Sequence, residues 1–430
     1  MGIIVKKPTN SLTKMAVIFT IVGSIIIISS LLFVIKKNND KNIVKEKTTI
    51  KIWALYGDIG DTLIKVTDNY TKNNPNVVFE ISLYKNDTYK SVIREAIITN
   101  DAPDIFYTWG DGFLKDFIDI GAVRNINDIC ERENVYGEVS DKALNSFTVE
   151  EKVYGLPISG WRLMLFANED LFNENNIKIP ESYEEFVQAI ESFKELGITP
   201  LSVGAKESWT LSFYYMMLAL KDVGIDGVRE ALKDNSKFKE EGFLRAAEEF
   251  KYLRDIDAFS EEASSLESYN SDFLFAEKKA AMTLNGTWII PRLEQKFKEN
   301  DDIKGLEVID FSSFMGEKQG IGGFVDGFVI NNNSDKQDII DSLYIDIFKE
   351  VSNIYIKEIK GGIPVWNEQK IDESNHLLYE AANDFQDYEY HGAYDQALPY
   401  KLARVHLQSI ESLFNGDITP KEFIDRHSNE

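Results

Sequence analysis

Trp109 is followed by Gly110-Asp111-Gly112, and Trp161 is preceded by Pro157-Ile158-Ser159-Gly160. Trp209 closes the stretch Gly204-Ala205-Lys206-Glu207-Ser208, and Trp288 follows Asn285-Gly286-Thr287. Tyr56 and Asp58 add an aromatic–carboxylate pair early in the chain. Indole rings on glycine-bearing loops, with Asp, Glu or Asn beside them, suit a ligand that has flat apolar C–H faces bounded by hydroxyls. The rings cover the faces and the side-chain oxygens accept from the hydroxyls. A sugar has such a surface. The alternative for each tryptophan is a place in the core, which explains one ring more easily than four. Trp53, inside a strand pattern, is read as core, and Trp366, in Gly361-Gly362-Ile363-Pro364-Val365-Trp366, as part of a crossing between lobes.

These residues need elements to hold them. Thr49–Ala54 reads as a strand, and Leu63, Val66 and Tyr70 then share a helical face that Asn73-Asn74-Pro75 ends. Val77–Leu83 alternates as a second strand, Tyr89, Val92, Ile93, Ala96 and Ile97 follow at helical spacing, and Asp104–Trp109 is a third strand before Leu114, Phe117 and Ile118. This β-α-β-α-β-α order implies a largely parallel sheet covered by helices. A second α/β region begins near residue 158, with a capping box at Ser182-Tyr183-Glu184-Glu185, a buried stripe Phe186, Val187, Ile190, Phe193 and a left-handed stop at Gly197. Thr199–Val203, Ala280–Leu284 and Phe324–Ile330 are later strands. Tyr56, Asp58, Trp209 and Trp288 thus fall just past strand ends, and Trp109 ends its strand, where ligands of open α/β sheets bind.

On this pattern the chain resembles the extracellular solute-binding proteins of bacterial carbohydrate ABC importers, the family that includes maltose-binding protein. The resemblance is carried by Pro103–Trp109, by Tyr154–Ile158 followed by Asn168–Phe172, by Pro180–Phe186, by Met282–Trp288 and by Gly320–Ile330. Tyr394–Pro399 and Gly416–Pro420 resemble the family as well. It implies a two-lobed α/β fold of the type II periplasmic-binding-protein kind, with several crossover strands and the ligand enclosed between lobes. Residues 48–157 plus 323–363 would form the first lobe and 158–322 plus 364–430 the second. It further implies that Trp109 and Asp111 match a wall position of the first lobe, Tyr56 and Asp58 its first loop, and Trp161 a site just past the first crossover. Trp209 and Trp288 match aromatic positions of the second lobe, and Asp395 falls in a late segment often near the ligand. The implied partners are a carbohydrate and the permease subunits of an ABC importer, bound by a monomer with no cofactor. Lobe closure would use glycines at Gly155–Gly160, Gly320–Gly323 and Gly361–Pro364.

Composition narrows the field. The chain has 430 residues, enough for two lobes, with 43% hydrophobic and 12% aromatic residues, a globular composition. Its net charge is -24; residues 1–47 carry eight Lys against Asp40 and Glu46, so the remainder holds 39 basic and 69 acidic residues, a net of -30. Such a body repels phosphate backbones, which excludes nucleic acid as a partner. Cys130 alone can make neither an internal disulfide nor a cysteine zinc cage, and is read as a small buried residue. His376, His391, His406 and His427 lie far apart in sequence and give no metal pair at helical spacing. A glycoside hydrolase would need two carboxylates about 5–10 Å apart. Asp58 and Asp111 are equally explained as hydroxyl acceptors, so no catalytic residue is assigned. An anchored sensor or adhesion module of the same fold, or a receptor for peptides or polyamines, are the other readings.

Met15–Ile35 is an uncharged run of 21 residues. At about 1.5 Å per residue it spans a bilayer core. It runs straight into Lys36-Lys37 with no small-residue cleavage site and no lipoprotein cysteine. Residues 1–37 are therefore read as an uncleaved anchor, with a cleaved signal segment as the rival, and 38–47 as a linker. Lysines flank the run on both sides, so charge alone does not orient it. The export of the body to the cell surface rests on the family resemblance.

Overall fold

The computed structural model describes residues 47–299, 305–309, 311–314, 318–382 and 385–428. Met15–Ile35 lies outside them, and among the described residues no helix is long and apolar enough to cross a membrane. A small unit includes residues 47–48 and 74–78, where the Thr48 N–H donates to Asn76 O at 2.8 Å. The body comprises the rest.

The first lobe begins with three β-α units: β1 (Thr48–Leu55), α1 (Asp58–Asn73), β2 (Val77–Tyr84), α2 (Asn86–Ile98), β3 (Ile105–Trp109) and α3 (Asp111–Asp119). β1 and β3 pair in parallel, with Ile52 opposite Ile105. Then comes β4 (Gly155–Ala167), buried along its whole length. The second lobe holds α4 (Tyr183–Glu195), β5 (Thr199–Ser202), α5 (Ser208–Lys233), β6 (Ala280–Gly286), α6 (Ile290–Glu299) and β7 (Glu307–Ile309). β8 (Gln319–Ile330) and α7 (Gln337–Ile354) return to the first lobe, and β9 (Glu389–His391), α8 (Tyr394–Ala397), α9 (Tyr400–Asn415) and α10 (Pro420–Ser428) complete the second.

Local chemistry sets several of these bounds. Ser182 Oγ accepts from the Glu185 N–H at 3.2 Å, which starts α4 as the capping box requires, and Gly197 stops it at φ +72°. The strand spans expected from periodicity are all present, some a few residues longer. The sheet is not largely parallel, however. Its order is β2-β1-β3-β8-β4-β6-β5, with β7 on β4 and β9 on β8. β8 runs antiparallel to both β3 and β4, and β4 antiparallel to β6. A continuous apolar run such as β4 carries no period that shows its direction.

β4 and β8 are the strands that join the lobes. The Gly155–Ser159 end of β4 pairs with β8, and its Leu163–Ala167 end pairs with β6. β8 gives Asp326–Ile330 to β3 and Gln319–Ile321 to β9. Between those ends the register of β8 slips beside Gly323, and Gly322 and Gly323 take φ +137° and +132°, values that side-chain-bearing residues rarely adopt. Gly160 and Ile363 form a third crossing, exchanging two backbone hydrogen bonds at 2.8 and 2.9 Å. The boundary after residue 363 falls early. Val365 O accepts from Ser140 N–H, and the Asn367 N–H donates to Glu138 O, so Val365–Asn367 stay on the first lobe with Trp366 buried beneath Lys349. Nothing in the local sequence marks that switch, because the contact is made with residues more than two hundred positions away.

Candidate ligand-binding cleft

Each of the first three strands of the first lobe ends just before a helix whose first turn holds an aspartate: Asp58 after β1, Asp87 after β2 and Asp111 after β3. Unpaired N–H groups and the helix dipole favour a carboxylate there. The loop after β3 is fixed by its backbone, Gly110 N–H donating to Val325 O at 2.7 Å and Asp111 N–H to Ser146 O at 2.8 Å. Asp111 takes φ +54° and reaches solvent, yet the surrounding protein strips enough water to push its carboxyl up to about 6. Asp58 and Asp87 are raised by the same burial, offset by Arg292 and Lys90 respectively. Tyr56, beside Asp58, is 72% exposed.

Trp109, also expected at this wall, is packed otherwise. Only 3% exposed, its ring meets Tyr89, Tyr107 and Phe113 edge-on at 5.0–6.1 Å, and the Lys90 ammonium lies 4.9 Å from its centre. It is the last residue of β3, so its side chain is still held by the packing of the sheet. The geometry is that of a core ring capped by a cation, the alternative weighed for every tryptophan.

The second lobe gathers rings of its own: Trp161 is as buried as Trp109 at 3% exposure, Trp209 is 9% exposed and Trp288 is half-buried. Trp161 leaves the middle of β4, Trp209 opens α5 with Phe213 one turn on, and Trp288 stands two residues past β6. Residues this far apart in sequence meet in one cluster. Ring centres lie 4.9 Å apart for Trp161–Trp288, 5.3 Å for Trp209–Phe213 and 6.2 Å for Trp209–Trp288. The Trp288 ring rests on Gly286, where a Cβ would stand 2.0 Å from Cζ3, so this plate needs a glycine beneath it. Trp209 is buried, and its indole N–H finds no protein acceptor. Thr287 Oγ1, Arg292 Nε of α6, Asn86 Oδ1 of α2 and Gln396 Oε1 of α8 are buried and unpartnered as well. Each such atom left without a partner costs about 1–3 kcal/mol, which a ligand's hydroxyls would offset.

Several site residues escaped the sequence reading. Arg292 extends from α6 one turn after Trp288, and its Nη2 donates to Asp272 at 2.6 Å, while Asn285 Nδ2 donates to the other oxygen of Asp272 at 2.9 Å. Asp272 is fully buried and pushed up to about 6 by that burial, against the pull of Arg292 and Asn285. Arg292 faces Asp58 and Tyr355 of the first lobe electrostatically. The i, i+4 spacing from Trp288 was a usable signal for it, and the recurrence of an aspartate after each of three strands was one for Asp87. Asp395, expected as a ligand acceptor, is instead buried and ion-paired with Lys90 of the first lobe. No local pattern reveals a partner 305 residues away.

Away from the cleft, two histidines that sequence spacing separated come together. His427 Nδ1–H donates to Phe423 O at 2.7 Å, leaving Nε2 to accept from His406 Nδ1–H at 2.7 Å. His406 Nε2 then accepts from the Ser212 hydroxyl at 2.6 Å. Both rings are fully buried, and burial holds His406 well below the usual range and His427 down to about 4. Among the described residues no group of three or more His, Cys, Asp or Glu is placed to hold a metal ion.

The family described as bacterial extracellular solute-binding protein matches residues 54–341. The multiple sugar-binding protein of Streptococcus mutans is 23% identical over 313 residues, 70% of this chain and 70% of that protein. The melibiose/raffinose/stachyose-binding protein of Bacillus subtilis is 24% identical over 238 residues, 53% of each. A solved structure from work on xylan utilization by Caldanaerobius polysaccharolyticus has a TM-score of 0.79 at 27% identity, covering 89% of this chain and 99% of that one. A chitin oligosaccharide binding protein shares the fold at a TM-score of 0.80 and 19% identity, over 89% of this chain and 97% of that one.

Proposed function

The chain belongs to the bacterial extracellular solute-binding proteins, and from that premise we propose that its cleft takes a carbohydrate and delivers it to an ABC-type permease. The observation that carries the reading is the cluster of Trp161, Trp209 and Trp288 bordered by buried polar atoms that have no protein partner. Rings to cover C–H faces, and orphaned donors and acceptors to meet hydroxyls, are what a sugar requires. Asp58, Asp87 and Asp111 add acceptors from the other lobe. The names of the Streptococcus mutans and Bacillus subtilis relatives, which specify sugars, support the class.

In this reading the site binds without catalysis, as a monomer, and a sugar that touches both lobes stabilises the closed form that the permease recognises. Met15–Ile35 anchors the chain uncleaved, with the body outside the cell. N-terminal sequencing of the native protein showing a start after residue 30, or a body protected from protease in intact protoplasts, would refute the anchoring.

The ligand class is tested by thermal shift against raffinose, stachyose, xylo-oligosaccharides, chito-oligosaccharides, peptides and polyamines. A ligand at about a hundred times its Kd adds about 2.7 kcal/mol of stability, a readable rise in Tm. At least one saccharide should give it and be recovered unchanged. A rise with a polyamine or peptide and with no saccharide would sink the assignment.

A further inference from the structure

We propose that Lys90 and Asp395 are positioning residues for binding: their ion pair holds the two lobes together along one flank of the cleft before any ligand enters.

Lys90 projects from α2 of the first lobe and Asp395 from α8 of the second, and their side chains are only 12% and 4% exposed. Closely spaced contacts run along the same seam. Gly112, in the first turn of α3, lies so near α8 that a Cβ there would stand 2.5 Å from the carbonyl oxygen of Ala397. Arg94, one turn beyond Lys90, holds its guanidinium carbon 4.4 Å from the ring centre of Tyr400 while its Nη1 pairs with Asp116 at 2.8 Å. Before α2, Lys85 reaches Glu267 of the second lobe at 3.2 Å. All of these contacts are made between protein groups.

Within the seam the Lys90–Asp395 pair has the most effect on the lobe equilibrium. The Lys85–Glu267 pair is well exposed, and water and salt screen it. Lys90 and Asp395 are largely desolvated, where a charge left without its partner is strongly unfavourable. Asp87 faces the same pair, favoured by Lys90 and opposed by Asp395. Lys90 therefore separates two carboxylates, one on each lobe. With it the seam attracts; without it the lobes meet acid to acid. A ligand that binds the closed form has its apparent affinity scaled by the closed fraction, so these residues set affinity without touching the sugar.

The test reads lobe separation in sugar-free full-length protein, so it stands apart from the ligand assignment. Spin labels at Glu95 on α2 and Gln408 on α9, both exposed, report one distance across the lobes by pulsed electron resonance; Cys130 is buried and stays unlabelled. The unaltered pair should give a short, narrow distribution. Lys90→Glu should shift it to longer, broader distances, and the exchanged pair Lys90→Glu with Asp395→Lys should bring it back. If either charge variant does not fold, Lys90→Met with Asp395→Asn removes both charges at similar volume and should also lengthen the distance. Unchanged distances in the folded variants would overturn the proposal. So would an exchange variant that folds and stays as open as Lys90→Glu, since a merely structural contact is not rescued by reversing the charges.

Discussion

The first lobe carries carboxylates at the starts of three helices, whereas the second gathers three indole rings and one guanidinium fixed by a buried acid. Both lobes place a tryptophan at or near the end of a strand, yet Trp109 is buried in the core and Trp288 is only half-buried. Trp109 is the final residue of β3 and keeps the inward direction that the pleat imposes, among Tyr89, Tyr107 and Phe113. Trp288 comes two residues after β6, inside the 3-10 turn Thr287–Ile289, and its ring lies across Gly286. An offset of two residues relative to a strand end thus separates a fully packed ring from a half-buried one.

The largest effect that would break this comparison is on stability. Trp109→Ala should cost about 3–5 kcal/mol, a buried-aromatic loss, and lower Tm sharply while the folded fraction still binds. Chemical denaturation alongside calorimetry checks it, and a variant of normal stability with no binding would make Trp109 a wall after all.

Next is the His406–His427 pair, which anchors α10. Both rings are neutral when folded and charge near 6.5 when unfolded. For His427 the contribution is fully present above pH 6.5 and is lost as pH falls through about 4, and His406 acts in the same sense. For His427 the whole window is worth on the order of 3 kcal/mol. Asp272 and Asp326, pushed up to about 6, act in the opposite sense, favouring the fold as pH falls. Comparing His427→Gln with the parent isolates the histidine: the variant should be less stable at pH 7 and lose less on moving to pH 5. Parallel curves of stability against pH would remove the linkage.

Smaller, and specific to the second lobe, Trp209→Ala and Trp288→Ala should each weaken sugar affinity by about 1–3 kcal/mol, or roughly 5- to 150-fold. Titration calorimetry on the folded variants reads this, and unchanged affinity in both would discard the aromatic wall. The smallest effect sharpens the first lobe's part. Asp111→Asn should cost about 1 kcal/mol of affinity at pH 7. Because the carboxyl titrates at about 6, the parent should approach the variant's affinity as pH falls through that value. A gap that stays constant from pH 7 to 5 would take Asp111 out of the site.

Sequence by itself determined the elements and their chemistry. Periods of two and near four residues, the Ser182 capping box and the Gly197 stop place strands and helices, because these depend on neighbours a few positions away. The same locality made Trp161, Trp209 and Trp288 visible as glycine-flanked rings. Tertiary structure alone decided which rings meet in one cluster and which pack apart from it, that β8 enters the sheet antiparallel, and that Val365–Asn367 remain with the first lobe. It also decided that Asp395 is bound to Lys90 and that His406 meets His427. Each of those outcomes is a contact between groups remote in sequence. Burial and charge pairing act through space, and the distances they act over exist only once the chain has folded.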